Sequence, residues 1–197
     1  MTQASNIPAA EDPLGALRRS MSHSAEIAVA PIHDFRALLV HELERAEDAE
    51  IQVDAALRRL SVVTDNLKLR RLLQLRIHEG ERVSSDIRAA LEQYSSSHRH
   101  VHNRGASVLI SQSERLLKLA RTAETADLII LTGAQKLQSY CLSCWKSLHL
   151  LAKLLQDKEL AVHLKGAVEE GLRWDRQLTE LALSAEGKAP SGAASAR

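Results

Sequence analysis

The sequence predicts an all-α protein, built as an up-and-down bundle of long helices. Leu, Ala, Glu, Arg, Gln and Lys together make up more than half of the 197 residues, whereas aromatic residues make up only 3%. The frequent residues are those that lose least on entering a helix. Gly and Pro are scarce between Phe35 and Leu183, so few turns can form and each helix must be long.

Size and charge narrow the class of protein. A chain of 197 residues can bury a core as one domain. The formal net charge of +1 gives no pull toward nucleic acid or acidic membranes. No apolar run of about 18 residues occurs, and the N-terminal residues lack the pattern of a signal peptide. We therefore expect a cytoplasmic protein with no nucleic-acid or membrane partner.

The chain divides into an arm, a bundle and a tail. Residues 1–31 are rich in Ala, Ser and Pro and show no sustained period, which predicts a mobile N-terminal arm. Residues 186–197 are predicted to form a mobile C-terminal tail, and residues 32–185 the helical bundle between them.

Apolar residues recur at three- and four-residue steps in four long segments and one shorter segment. The long segments run from about Asp34 to Leu60, Asn66 to Tyr94, Thr125 to Leu155 and Asp157 to Leu181, and the short one from about Ser107 to Ala120. Thr125 and Asp157 are predicted N-caps. Short connections make neighbouring helices antiparallel, which predicts a four-helix bundle with one additional short helix.

The segment from Thr125 to Leu155 is apolar on more than one face. The residues off its main stripe are Leu128, Ile129, Leu142, Leu150 and Leu154. Such a helix occupies the most central position or makes a second buried contact. The second possibility predicts a homodimer or another protein partner, and the sequence leaves both possibilities open.

Carboxylates lie in register with apolar stripes on three helices, at Glu50, Glu79 and Asp175. Bundles build metal sites from polar side chains that point inward, and carboxylates suit hard or borderline cations. The alternative is that each carboxylate lies at the edge of its stripe, in solvent or paired with an arginine such as Arg82 or Arg173.

Short blocks of sequence support a more specific hypothesis. They are His41–Leu43, Asp48–Gln52, Ala134–Tyr140 and Asp175–Ala182. In composition, order and spacing these blocks resemble the YciE/YciF-type family of ferritin-like stress proteins, and the likeness covers about Asp34 to Ala185. The resemblance implies a ferritin-like bundle, dimeric, with a two-metal carboxylate site.

The family's ligand positions are only partly kept in this chain. Carried over by position, Glu50 and Glu79 stand where the first two long helices would offer ligands, and Asp175 does so on the last. The family's Glu in the fourth-helix block is Gln138 here, and its next acidic position is Cys141. On the last helix Gly171 stands where a Glu is expected, with Glu170 one residue away. No Glu-x-x-His occurs in the chain, although ferritin-like di-iron sites usually carry two.

The resemblance therefore implies a degenerate metal site made of Glu50, Glu79, Glu170 and Asp175. Iron or manganese would bind there weakly or not at all, and the protein would act in a stress response by binding rather than by turnover. One alternative is a working di-metal oxidoreductase or metal store that uses the same residues. The other is a helical adaptor for another protein.

Two further motifs have structural interpretations. Cys141 and Cys144 have the spacing of a redox pair or half a zinc site, but they lie within a helical stripe and no second pair exists. We predict buried structural thiols there, and expect Trp145 and Trp174 to fill the core. The alternating His98, His100 and His102 can chelate zinc, copper or nickel, although a solvated polar loop is favoured because the sequence shows no carboxylate or cysteine nearby.

Overall fold

The computed structural model describes residues 32–95 and 101–186. The predicted arm, the tail beyond residue 186, and His98 and His100 lie outside the described residues. Within them the chain forms five helices and no strand: α1 (Phe35–Val63), α2 (Leu67–Tyr94), α3 (Arg104–Leu117), α4 (Ala123–Leu154) and α5 (Lys158–Glu186). The predicted all-α class, with four long helices and one additional short helix, is confirmed.

Each helix begins after a side chain that accepts a hydrogen bond from the first turn, which satisfies backbone N–H groups that have no partner inside the helix. These residues are Asp34, Asn66, Asn103, Thr122 and Asp157. The predicted cap at Thr125 is wrong by one turn, because the Thr122 hydroxyl accepts from the Thr125 N–H. Helix α3 likewise begins at Arg104 rather than near Ser107.

The four long helices form a ring in which α1 packs against α2 and α4, and α5 packs against α4 and α2. Thr64, after the end of α1, donates to Asp127 near the start of α4, while Trp145 further along α4 reaches Glu50 in the middle of α1. Helices α1 and α4 are therefore antiparallel. Since α1 is also antiparallel to α2, helix α4 runs in the same direction as α2.

Helix α3 allows α2 and α4 to run in the same direction, because it carries the chain back along the length of the bundle between them. At its start, the Asn103 N–H donates to Asp48 in the middle of α1 over 2.6 Å. Near its end, Glu114 accepts from Arg59, further along α1, over 2.7 Å. Helix α3 thus lies parallel to α1, and it delivers the chain to the end of the bundle where α4 begins.

The turn between α4 and α5 is tight. Gln156 has a φ of 60°, in the left-handed region. The next residue, Asp157, donates its backbone N–H to the carbonyl of Ala152 over 2.9 Å. This is the bonding pattern of a helix C-terminus closed by a left-handed residue.

The core lies between the four long helices, and Trp145 and Trp174 fill it as predicted, with 1% and 2% of their surface exposed. Helix α4 contacts every other helix, in agreement with the central position. The apolar residues outside its main stripe differ in exposure. Leu142 is buried, whereas Leu128, Leu150 and Leu154 are about half exposed. None of the described helices is both long enough and apolar enough to cross a membrane.

Candidate functional site

Glu50 lies at the centre of the bundle on the stripe where the sequence placed it, 2% exposed between buried Ala46 and Val53. Its Oε2 accepts from Arg76 Nη2 at 2.9 Å, and Oε1 lies 3.3 Å from the same nitrogen. Trp145 Nε1 donates to Oε1 over 3.0 Å. A buried carboxylate costs several kcal/mol unless it is paired and hydrogen-bonded, and here the protein supplies both partners.

Arg76 of α2 is the residue that sequence reasoning missed. It is 1% exposed, donates through Nε to Gln138 Oε1 over 2.7 Å, and stacks its guanidinium 5.1 Å from the centre of the Trp145 ring. Burial acts to lower the pKa of Arg76 and is the largest single influence, but the charge and hydrogen bond of Glu50, together with Cys141 and Glu79, raise the pKa above its ordinary value. The centre of the bundle therefore holds a permanent cation.

Two glycines leave the space that this cluster fills. A Cβ at Gly80 would lie 2.5 Å from Arg76 Nη1, and a Cβ at Gly171 would lie 2.5 Å from Gln138 Nε2 and 2.6 Å from Trp145 Cζ3. Separations below 3.0 Å are essentially never seen for real Cβ atoms. Gly171 stands where the family resemblance expects a Glu, and the room for that side chain is taken by Gln138 and Trp145.

Glu79 lies at the edge of the cluster, half-buried on α2, and its Oε2 is buried with no hydrogen-bond partner among the described residues. Burial raises the pKa of Glu79, and the charge of Glu170 raises it further, while Arg76, Arg173 and Arg82 act in the opposite direction. Glu79 therefore takes up a proton more readily than an ordinary glutamate.

The two predicted ligands on α5 lie further from the centre. Glu170 is half-buried and forms ion pairs with Arg82 and with Arg173, the latter at 3.8 Å. This is the pairing that the alternative interpretation of the sequence described. Asp175 is also half-buried, because its neighbour Trp174 takes the inward position. The structure thus brings Glu79 near Glu170, whereas Glu50 forms its ion pair with Arg76.

These residues do not fit a pair of divalent cations. Both oxygens of Glu50 face Arg76 Nη2, the amide of Gln138 is neutral and bound through its oxygen, and Gly171 offers no ligand. A metal ion beside Glu50 would have to share a buried space with a fixed positive charge, which Coulomb repulsion opposes. In the part of the chain that the structure describes, no three His, Cys, Asp or Glu side chains are grouped so that they could hold a metal ion.

The two cysteines are free thiols, with Cys141 buried and Cys144 half-buried. Burial, reinforced by the charge of Glu50, raises the pKa of the Cys141 thiol well above its ordinary value. Burial also raises the pKa of Cys144. Since the thiolate is the reactive form, this geometry supports the structural interpretation of both residues.

The crossover into α3 holds a second polar cluster, built around Asp48. Asp48 accepts from the Asn103 N–H and from the Gln52 side chain, and exposed His102 places Nδ1 at 3.7 Å from Asp48 Oδ2. A carboxylate therefore does lie beside this histidine, which corrects the expectation from sequence. The spacing along the chain could not show it, because Asp48 comes from the distant helix α1.

Comparison with known proteins supports the family resemblance. A family model described as a domain of unknown function, DUF892, matches residues 34–189. Protein YciF of Escherichia coli (strain K12) is 26% identical over 148 residues, which cover 75% of this chain and 89% of that protein.

Solved structures show the same fold. The crystal structure of the E. coli stress protein YciF aligns with a TM-score of 0.75 at 25% identity, covering 80% of this chain and 99% of that one. The structure of YcfI from Rhodopseudomonas palustris aligns with a TM-score of 0.72 at 18% identity, covering 78% and 98%. The predicted ferritin-like fold is thereby confirmed.

Proposed function

Since this chain belongs to the family described as a domain of unknown function, DUF892, we propose that it is a YciF-like stress-response protein that acts by binding rather than by turnover. Its likeness to the E. coli stress protein YciF supports the stress-related setting. Its two cysteines are both free, as is usual in a reducing compartment, which supports a cytoplasmic location.

The observation that carries this function is that both carboxylate oxygens of Glu50 already accept hydrogen bonds from other residues of the protein. A ferritin-like di-metal centre uses inward carboxylates whose oxygens are free to bind and bridge the ions. Here Arg76 and Trp145 already occupy both oxygens of Glu50. The neutral amide of Gln138 adds no charge to attract a cation, and it too is bound to Arg76. Among the described residues, a centre bonded in this way does not offer the free carboxylates that two-metal redox turnover needs, which supports binding rather than turnover.

The alternative is a metal-binding function, and one observation favours a reduced form of it. Glu79 has a buried oxygen without a hydrogen-bond partner among the described residues. The charge of Glu170 is close enough to raise the pKa of Glu79. A single weakly held iron or manganese ion would use these carboxylates, with Asp175 as the remaining candidate. The existing ion pairs of Glu170 with Arg82 and Arg173 compete with such an ion.

Metal analysis of protein purified without a His tag tests the proposal. The informative variant is Glu79→Gln/Glu170→Gln, because it removes two of the three available carboxylates and leaves the buried pair of Glu50 and Arg76 intact. We expect iron and manganese well below one ion per chain in both proteins. Stoichiometric metal in the wild type that is lost in this variant, but kept in an exposed Glu169→Gln control, would contradict the proposal.

We further propose that the chain is a homodimer, with a second protein as the alternative partner of the same surface. The half-exposed Leu128, Leu150 and Leu154 of α4 support a contact that a single chain does not bury. Light scattering at micromolar concentration checks this point. A monomer there would count against the homodimer and favour the adaptor role.

A further inference from the structure

The buried arginine at the centre of the bundle is the feature that the family resemblance does not explain. Resting on the proposed function, we infer that the Arg76 guanidinium is the resident cation of this bundle. It holds the place beside Glu50 that a divalent cation would need, and the fold is complete without metal.

Charge balance supports this role. Glu50 and Arg76 are both about 2% exposed and lie 2.9 Å apart, so their charges cancel inside the core. At position 138 an amide oxygen accepts the Arg76 Nε–H over 2.7 Å without adding a second negative charge. A glutamate there would leave a buried cluster with a net negative charge, which a metal-free core cannot stabilise. Glutamine is therefore the residue that matches a single internal cation.

Geometry shows why the cation is an arginine. The guanidinium is a planar fork with five donors, and it points Nη2 toward Glu50 on α1 and Nε toward Gln138 on α4. Its face lies over the Trp145 ring at 5.1 Å, where the π-electrons attract a cation. A lysine, with one ammonium group, cannot make these three contacts from one position.

Space has been provided for the arginine on two helices. Gly80 stands one turn after Arg76, and any Cβ there would collide with the guanidinium at 2.5 Å. On α5, Gly171 admits Gln138 and Trp145, the two residues that hold Arg76 and Glu50 from the other side. The cluster is thus accommodated by the surrounding backbone, as expected for a built-in cation.

Thermal unfolding of a single and a double variant tests the inference. We expect the wild type to unfold at the same temperature in a chelator and in manganese. Arg76→Met keeps most of the stem but leaves Glu50 buried and unpaired, so its midpoint should fall by on the order of 10 °C. Glu50→Gln/Arg76→Met removes both charges and should recover more than half of that loss. A double variant no more stable than Arg76→Met would overturn the inference.

Chemical rescue gives a second readout. Arg76→Ala leaves a space shaped for a guanidinium, so millimolar guanidinium should raise its midpoint, whereas urea, which has the same shape and no charge, should not. The exposed Arg71→Ala variant on the same helix should respond to neither. Equal responses to guanidinium and urea would overturn the inference. If Arg76→Ala does not fold, the comparison of Arg76→Met with Glu50→Gln/Arg76→Met decides.

The two ideas fail in different ways. Stoichiometric metal in the wild type, with unfolding that depends on it, would overturn the proposed function together with this inference. A metal-free wild type whose Arg76→Met variant is as stable as the parent would overturn this inference alone.

Discussion

The Nη2 atom of Arg76 lies 2.9 Å from Oε2 of Glu50, with both side chains 2% exposed. The two residues come from neighbouring helices, and Trp145 and Gln138 of α4 add one hydrogen bond each to the pair. A buried ion pair stabilises a fold only when its remaining donors and acceptors are also satisfied. The partners of this pair should therefore be as important to stability as the pair itself.

Trp145→Phe tests that expectation. The substitution removes the Nε1–H that donates to Glu50 over 3.0 Å and weakens the aromatic face under Arg76. Because a hydrogen bond to a buried charge is lost, we expect a loss of about 2–3 kcal/mol in the free energy of unfolding, measured with denaturant. Trp174→Phe is the matched control, since its indole donates to the neutral carbonyl of Leu72 over 2.7 Å. A loss in the control as large as that in Trp145→Phe would argue against a special role for the charge.

Gly171→Ala tests the packing around the cluster. Its new methyl group would meet Gln138, Trp145 and Leu142 at 2.5–2.8 Å, so we expect a loss of about 2–3 kcal/mol from overpacking. Gly166 lies on the same helix, and a methyl group added there would have no neighbour within 4 Å among the described residues. Gly166→Ala should therefore stabilise the protein by about 0.5–1 kcal/mol through helix propensity alone. Calorimetry that found both substitutions stabilising would contradict the crowding at position 171.

Glu79→Gln tests the pH dependence of stability. Burial raises the pKa of Glu79 in the folded state above the ordinary value of 4.5, so the folded protein binds this proton more tightly than the unfolded chain. Stability is then lost as pH rises through the folded pKa. The variant should be more stable than the wild type at neutral pH, and the difference should shrink as pH falls toward about 4.5.

Glu81→Gln provides a control of opposite sign. Hydrogen bonds from Arg58 and His78 lower the pKa of Glu81, so its contribution is present above the ordinary pKa and lost on acidification. This variant should be less stable than the wild type at neutral pH. Thermal unfolding from acidic to neutral pH measures both, and slopes of the same sign in the two variants would contradict the assignment.

Asn103→Ala tests the anchor of the crossover. Asn103 is fully buried; its side chain donates to the Arg45 carbonyl over 2.8 Å and accepts from Ala106 N–H and the Tyr140 hydroxyl. Losing the cap and leaving these groups unpaired should cost about 2–4 kcal/mol in denaturant unfolding. Asn66→Ala removes only a cap, with bonds to Lys68 and Leu69, and should cost about 1 kcal/mol. Similar losses in the two variants would show that Asn103 is an ordinary cap.

Gln156→Gly tests the turn between α4 and α5. A side chain at a φ of 60° is strained, and glycine adopts that conformation without a steric penalty. We expect the unfolding midpoint to rise by a few degrees, for a gain of about 0.5–1 kcal/mol. A fall in the midpoint would mean that the Gln156 side chain makes a stabilising contact.

The positions of the helices could be predicted because the signals for them are local. Asp34 and Asn66 begin α1 and α2 at the residues where the apolar period starts, and Glu50 lies on the buried stripe as its spacing indicated. The direction of α4 could not be predicted in this way. The direction of α4 depends on the packing of α3 along α1, and the sequence pattern of either helix alone does not show that contact.

Arg76 was missed because arginine is expected at the surface. A signal for it was present: successive steps of four and three residues place Arg76 and Gly80 on one stripe with four apolar residues, Leu69, Leu73, Val83 and Ile87, and all six are buried. On α5 the sequence pattern did not show which of two adjacent residues faces the core. Trp174 and Asp175 are adjacent, so they point about 100° apart, and burial of the larger apolar side chain turns the carboxylate toward the edge.

The spacing of Gln138 and Trp145 has a consequence for how the hairpin of α1 and α2 packs against the hairpin of α4 and α5. These residues are seven apart on α4, about two turns, and together they supply an acceptor for Arg76 and a donor for Glu50. Sliding α4 by one turn would bring Ala134 and Cys141, or Leu142 and His149, to the same depths, and neither pair offers both groups. Contacts between apolar side chains alone tolerate such a slip, whereas this cluster accepts a single alignment of one hairpin along the other.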